Sequence, residues 1–408
     1  MTPGETAIAR CDLFRRPPYS EEAGALTRRY LTPAHKAALE ALTGWMQAAN
    51  MAVRLDAAGT LIGRYEGTGP RTLLIGSHID SVRDAGAYDG ALGVMLGLGV
   101  VEELARQGKR LPFAIEILAF GDEEGSRFHA SMTGSRFISG TLKDDPTNLT
   151  DEDGGTMEEA LRGFGLDPAG LRTAARREDV FLYLEPHIEQ GPVLEAENLP
   201  VGIVTGIAAQ TRLMVTLSGM ANHAGTTPMH LRKDALAAAA EAVLLLERIA
   251  AQAGIVGTVG AISARPGMGN VIPGECVFPV DLRAPSAEAR DAAEQAFRTG
   301  LAEICARRGI GQEATTVQQL APCLCDGAAQ TLLAEAIAAQ GQRPFRLASG
   351  AGHDAMSMAA LCPVAMLFIR CRAGISHNPA EHVEAADVDV AARVMLAFVE
   401  KLAGTAEL

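Results

Sequence analysis

Residues 76–94, GSHIDSVRDAGAYDGALGV, constrain this chain more than any other stretch. Before them, TLLIGS reads as a short buried strand. After them, GALGVMLGLGVVEELARQG has helical length and an apolar repeat, with Gly108 as its stop. His78 therefore leaves the carboxyl end of a strand, and Asp89 stands at the start of a helix. In an open α/β sheet, ligands bind at that edge. An imidazole and a carboxylate in one crevice begin a divalent-metal site. Taken alone, Asp89 reads as a helix N-cap, and HxD is a frequent tripeptide. The weight rests on what the rest of the chain adds.

Three further segments repeat the arrangement. The apolar strand Phe113–Phe120 runs into Asp122, Glu123 and Glu124. FLYLEPHIEQGPVLE begins a strand at Phe181 and delivers Glu185, His187, Glu189 and Gln190. PVAMLFIR is a strand whose following loop carries His377. Singly, His187 reads as a satisfied core histidine, His377 as a loop residue, and Glu123 with Glu124 as a solvated pair near a helix start. Together, four strand ends place three histidines and several carboxylates at one sheet edge.

The remainder fits an α/β domain interrupted by a second one. LTPAHKAALEALTGWMQAAN is a helix with Thr32 as its cap and Pro33 at its first position. MAVRLDAAGTLIGRYEG alternates as two strands around a Gly turn, and residues 141–180 read as short helices and loops. After Gly206 the texture changes. RLMVTLSG is an alternating strand, residues 225–228 turn, and an amphipathic helix runs from about Arg232 to Ala253. Strand, loop, strand and a further helix follow. This β-α-β-β-α order suits an inserted α+β sandwich over residues 210–324. The larger domain comprises residues 1–209 and 325–408.

A chain of 408 residues supports two domains. Its 36 basic against 49 acidic residues give a net charge of −13, which disfavours nucleic acid and anionic membranes as partners. No apolar run has the length of a signal peptide or a membrane span, so a cytoplasmic protein is expected. The seven cysteines are odd in number and form no CxxC pair, so they read as free thiols. Cys323 and Cys325 form a CxC that lacks the two further ligands a zinc site wants.

The motifs GSHIDSV, YDGALGV, DEEGSRF, HIEQGPVLE, NHAGTTPM, NVIPG with VDLR, SGAGHDAMSMA and GISHNPAE span residues 76–381. In this order they resemble the hydantoinase/carbamoylase branch of the di-zinc aminoacylase and carboxypeptidase superfamily. That branch holds N-carbamoyl-L-amino-acid hydrolases, β-ureidopropionases and allantoate amidohydrolases. The resemblance implies a mixed-sheet, di-zinc exopeptidase-like catalytic domain, with the insertion serving as lid and dimerisation domain of a homodimer. It implies two divalent ions, with Zn²⁺ first and Mn²⁺, Co²⁺ or Ni²⁺ as alternatives. His78, Asp89 and His187 would hold one ion; Asp89, Glu124 and His377 the other, with Asp89 bridging. Asp80 would fix the imidazole of His78, and Glu123 would be the general base. Arg283 and Asn270 would take the substrate carboxylate, Gln190 and His223 the ureido or carbonyl end. His223 would act from the partner subunit on the oxyanion. Gly352, His353, Gly374 and Ser376 would surround the pocket, and Arg212 is a further candidate. Pro186 departs from the branch's pattern and fixes the backbone beside His187.

The implied substrate is a small ureido acid, cleaved at its linear C–N amide bond. Allantoate and N-carbamoyl-L-amino acids are nearly tied; SGAGHDAMSMAALCP and ISHNPAE lean slightly towards allantoate. Two readings compete. One is a peptidase or deacylase of the same superfamily, which HIEQG and NHAGTTPM argue against. The other is a non-catalytic binding protein that kept the fold, which should have lost a ligand or the base; every position is filled.

Overall fold

Four parallel strands form the centre of the larger sheet, in the order Phe113–Phe120, Arg71–His78, Val180–Ile188 and Val364–Ile369. The computed structural model describes residues 1–173 and 177–405. Antiparallel strands flank the four: Leu61–Tyr65 and Ala52–Leu55 on one side, Val201–Ile207 on the other. The sheet is therefore mixed, with a parallel core. Every residue of Phe113–Phe120 is buried, as expected for strands covered on both faces.

The described residues divide into two compact units, Met1–Thr205 with Leu324–Leu408, and Gly206–Cys323. In the first, the helix Ala91–Arg106 packs on the Arg71–His78 and Val180–Ile188 strands. Its buried residues include Leu92, Val94, Leu98, Val101 and Leu104. The helix Pro33–Ala48 starts with Thr32 accepting from His35 N–H and Pro33 at its first position. The closing helix Ala385–Gly404 buries Val388, Val394, Phe398 and Leu402.

In the second unit, the strands Ala209–Ser218 and Glu275–Ala284 pair in register from end to end, and their inward residues alternate with outward ones. Leu213, Val215, Leu217, Phe278, Val280 and Leu282 form a core with Ala238, Leu246, Phe297 and Leu301 of the helices Ala235–Ala253 and Ala287–Arg308. One strand of this sheet lies outside the β-α-β-β-α expectation. Gly311–Leu320 forms an edge and is exposed along most of its length, so GQEATTVQQL lacks the apolar alternation that marks a half-buried strand.

Pro186 sits inside a central strand, where proline normally costs a ladder bond. Here the register removes the cost. Tyr183 N–H donates to Pro363 O and Glu189 N–H to Ile369 O, so odd-numbered residues face the Val364–Ile369 strand. Pro186 turns its nitrogen the other way, where pairing with Arg71–His78 has already ended at Ile75 and Leu184.

Candidate metal centre

The parallel register brings the strand ends level. His78 pairs with Phe120, two residues before Asp122, and His187 pairs with Phe368. The chain then delivers Asp89 at a loop end rather than as a helix cap. Gly90 is the N-cap of the helix Ala91–Arg106, with φ +64° and no side-chain cap bond. Gly90 is obligatory there on two counts. An L side chain is disfavoured at that φ, and a Cβ would lie 2.5 Å from the ring of His78.

Asp89 faces two ways. Its Oδ1 lies 3.3 Å from His187 Nε2 and 3.8 Å from His78 Nε2. Its Oδ2 lies 3.1 Å from His377 Nε2, which is also 3.4 Å from Glu124 Oε1. The second ring nitrogens of the two buried histidines are accounted for: His78 Nδ1 pairs with Asp80 O at 3.0 Å, and His187 Nδ1 with Ile188 O at 2.9 Å. A carbonyl accepts, so each Nδ1 carries the proton and each Nε2 presents a lone pair. Those two Nε2 atoms are only 3.5 Å apart.

This donor set fits divalent cations. Single donor atoms from His78, Asp89 and His187 lie within 4.8 Å of one another, as do those of Asp89, Glu124 and His377, and of His78, Glu123 and Glu124. Imidazole and carboxylate without thiolate suit zinc and its divalent neighbours. The electrostatics point the same way. Burial, then the neighbouring Glu124, Asp354, Asp80 and Asp89, push Glu123 well above the usual carboxyl range. Burial and Asp89 push Glu124 up to about 8. Burial lowers His187 to about 4, which keeps it neutral, the form able to ligate a cation. Burial also opposes the ionisation of Asp89. The hydrogen bond from His377, itself raised to about 9 by Asp89, outweighs it and holds Asp89 below its ordinary value. Converging lone pairs and carboxylates of this kind repel unless a cation sits among them.

Asp80 differs in detail from its expected role. Its backbone carbonyl, not its carboxylate, engages His78 Nδ1; the carboxylate oxygen is 3.7 Å away. The carboxylate instead accepts from the backbone N–H groups of Glu123 and Glu124, at 3.2 and 3.3 Å. Asp80 thus orients the Glu123–Glu124 loop as well as the histidine.

Gln190 Nε2 donates to Asp89 at 3.0 and 3.1 Å and lies 3.1 Å from Ser376 Oγ. A Cβ at Gly374 would lie 2.5 Å from the carbonyl carbon of Gly191, so only glycine lets these two loops approach. Gly352 is exposed, whereas His353 is 1% exposed. His353 does not line an open surface. Its ring stands edge-on against His187 at 4.5 Å between centroids, and its Nε2 lies 2.8 Å from Ser349 Oγ.

The remaining candidates lie in the second unit. Val271 pairs with His223, and Ala224 N–H donates to Asn270 O, so His223 and Asn270 are neighbours. His223 Nδ1 accepts from Gly225 N–H at 3.0 Å. Arg283 places Nε and Nη2 on Asp281 at 3.0 and 3.1 Å, and Arg212 Nε joins the same carboxylate at 3.1 Å.

Among the buried carboxylates to which the sequence assigns no role are Glu185 and Glu381. Glu185 accepts from Ser77 Oγ and Ala355 N–H, at 3.2 and 2.8 Å. Glu381 accepts from the backbone of Tyr88 and Asp89. Their signal was present but mute: an acid inside an apolar strand and the last residue of HNPAE, neither at ligand spacing.

Comparison with known proteins agrees with this geometry. The model of peptidase family M20/M25/M40 matches residues 74–401. An N-carbamoyl-L-amino acid amidohydrolase of Geobacillus stearothermophilus is 42% identical over 94% of this chain and 95% of its own. An allantoate deiminase of Arabidopsis thaliana is 38% identical over 97% of this chain and 82% of its own. The crystal structure of a hydantoinase/carbamoylase family amidase from Burkholderia multivorans superposes with a TM-score of 0.91, at 31% identity, covering 98% of both chains. The chain belongs to peptidase family M20/M25/M40, in its hydantoinase/carbamoylase branch.

Proposed function

We propose that this protein is a metal-dependent amidohydrolase that cleaves the linear C–N bond of ureido acids. The observation that carries the proposal is Asp89, whose two oxygens face separate imidazole sets beside Glu123. His78, Asp89 and His187 would hold one ion and Asp89, Glu124 and His377 the other. Zn²⁺ suits these donors first; Mn²⁺, Co²⁺ and Ni²⁺ share them. Such ions polarise a carbonyl and lower the pKa of water towards neutrality.

The chain's own groups supply the rest. Glu123 takes the proton of the attacking water and passes it to the departing nitrogen, so the carboxylate is regenerated in each cycle. Asp80 keeps the Glu123 backbone in place. Gln190 donates to the ureido group. In the proposed inserted domain, residues 210–324, Arg283 and Asn270 read the substrate carboxylate and His223 donates to the oxyanion; Arg212 supports Arg283 through Asp281. With Nδ1 engaged by Gly225, His223 carries its proton on Nε2, the donor form this role requires. We assign this domain a lid and dimerisation role, in a cytoplasmic homodimer. Among the described residues no helix is long and apolar enough to cross a membrane.

Between the two substrate classes we place N-carbamoyl-L-amino acids first. A Cβ at Gly352 would lie 3.2 Å from Met132 Cε, 3.9 Å from Met356 Sδ and 4.0 Å from Glu123 Oε1. An apolar wall beside the base favours an apolar side chain. The second ureido group of allantoate would leave its donors unpaired against it. A panel on the metal-reconstituted enzyme tests this reading: N-carbamoyl-L-amino acids, N-carbamoyl-β-alanine, allantoate, ureidoglycolate and an N-acetyl control. N-carbamoyl-L-methionine or -leucine should give the highest kcat/KM. A preference for the N-acetyl substrate would overturn the ureido assignment.

A further inference from the structure

Glu381 lies in the turn that carries His377, yet its side chain serves the loop that carries Asp89. It is 3% exposed. Its Oε1 accepts from two successive amides, Tyr88 N–H at 2.7 Å and Asp89 N–H at 3.1 Å. Its Oε2 lies 3.1 Å from Ser376 Oγ, which is 3.0 Å from Asp89 Oδ2. The single hydroxyl proton of Ser376 serves one carboxylate at a time, so Ser376 bridges Glu381 to Asp89. Gly86 makes room, since a Cβ there would come within 2.2 Å of the Glu381 carboxyl carbon. The turn is itself closed by Ala380 N–H on Asn378 Oδ1 at 2.9 Å and Glu381 N–H on Asn378 O at 3.0 Å.

We infer that Glu381 is a positioning residue that locks the Asp89 loop and the His377 turn into one frame, and so sets the second metal site. This rests on the proposed reading of Asp89 as a bridging ligand. The asymmetry between the two sites follows from where their ligands stand. His78 and His187 belong to strands that the sheet holds independently of Glu381. Asp89 and His377 both sit in loops, and Glu381 joins those loops. Removing its acceptor leaves two buried amides unpaired and releases Asp89 from His377. The first site keeps two sheet-borne ligands; the second keeps none outside loops.

The test is Co²⁺ titration of the metal-stripped full chain, followed by equilibrium dialysis and visible absorption. Wild type should bind two ions. Glu381→Ala should weaken the second site about 10- to 100-fold, the usual cost of losing an outer-shell partner of a metal ligand, and shift its absorption band. The first site should change much less. Glu381→Gln retains an oxygen for both amides and an N–H for Ser376, and should restore second-site affinity. Glu381→Asp keeps the charge but withdraws the acceptor by one methylene. It should lose the second site as the Ala variant does, and it serves if the Ala variant does not fold. Equal weakening of both sites, or no weakening, would overturn the inference. Asp89→Ala is the control for the reading beneath it: if that variant still binds two ions, Asp89 does not bridge, whatever Glu381 does.

Discussion

At the scale of single residues, the account turns on what Asp89 and Glu123 do with their oxygens. Among the described residues that could hold a metal, Glu123 is the carboxylate outside both Asp89-sharing triads, which leaves it available to take a proton and release it. Glu123→Gln keeps the volume and removes that ability. It should retain two metal ions per chain while kcat falls on the order of 10²- to 10⁴-fold. Metal analysis beside steady-state kinetics checks this; a kcat within tenfold of wild type would exclude Glu123 as the base. Arg283 makes a different demand. Its fork rests on Asp281, which can hold it ready for a carboxylate. Arg283→Lys keeps charge and loses the planar fork. It should cut kcat/KM for free-acid substrates about 10- to 100-fold, the worth of a charged hydrogen bond, with little effect on the corresponding amides. Equal losses on acid and amide would refute the assignment.

At the scale of elements, the helix Pro33–Ala48 carries an acid-sensitive lock. His35 is fully buried, and its Nδ1 accepts from Leu31 N–H at 3.1 Å, holding Leu31 at its positive φ of 56°. Burial, helped by the charge of Arg28, lowers its pKa from 6.5 to about 3. The folded value lies below the unfolded one, so its stabilisation is present above 6.5 and is lost as the pH falls towards 3. His35→Leu should therefore be less stable than wild type at pH 7, and the gap should narrow by pH 4. Urea midpoints of the metal-stripped proteins read this directly; a constant gap would refute it.

The same helix shows how much of the fold was legible. Thr32 and Pro33 mark its start, and the apolar run Phe113–Phe120 announces a buried strand because both signals are local. His78, Glu123, Glu124, His187 and His377 stand out in the sequence because each follows a strand pattern, and Asp89 because it precedes a helical one. The edge strand Gly311–Leu320 does not, since exposed residues carry no burial period. Nor do the inward packing of His353 or the part played by Glu381. Both depend on partners distant in the chain, Ser349 with His187 in one case and Tyr88 with Asp89 in the other.

At the scale of the whole molecule, the proposal is a homodimer in which His223 serves the partner's site. Glu123→Ala and His223→Ala proteins should each be nearly inactive. If His223 acts in trans, a mixed dimer holds one doubly lesioned site and one intact site. Random exchange at equal amounts should then restore about a quarter of wild-type activity, because half the dimers are mixed and half their sites are whole. If His223 acts within its own chain, every site carries a lesion and nothing returns. An inactive mixture, with exchange confirmed by tagged subunits, would rule the trans role out.

The central claim is that the clustered histidines and carboxylates work through two bound cations. It is tested most directly by measuring turnover of an N-carbamoyl-L-amino acid as metal-stripped enzyme receives defined equivalents of Zn²⁺ or Co²⁺. The account predicts negligible activity without metal and a rise that reaches its maximum at two equivalents per chain. Full activity in a stringently chelated, metal-free preparation would contradict it.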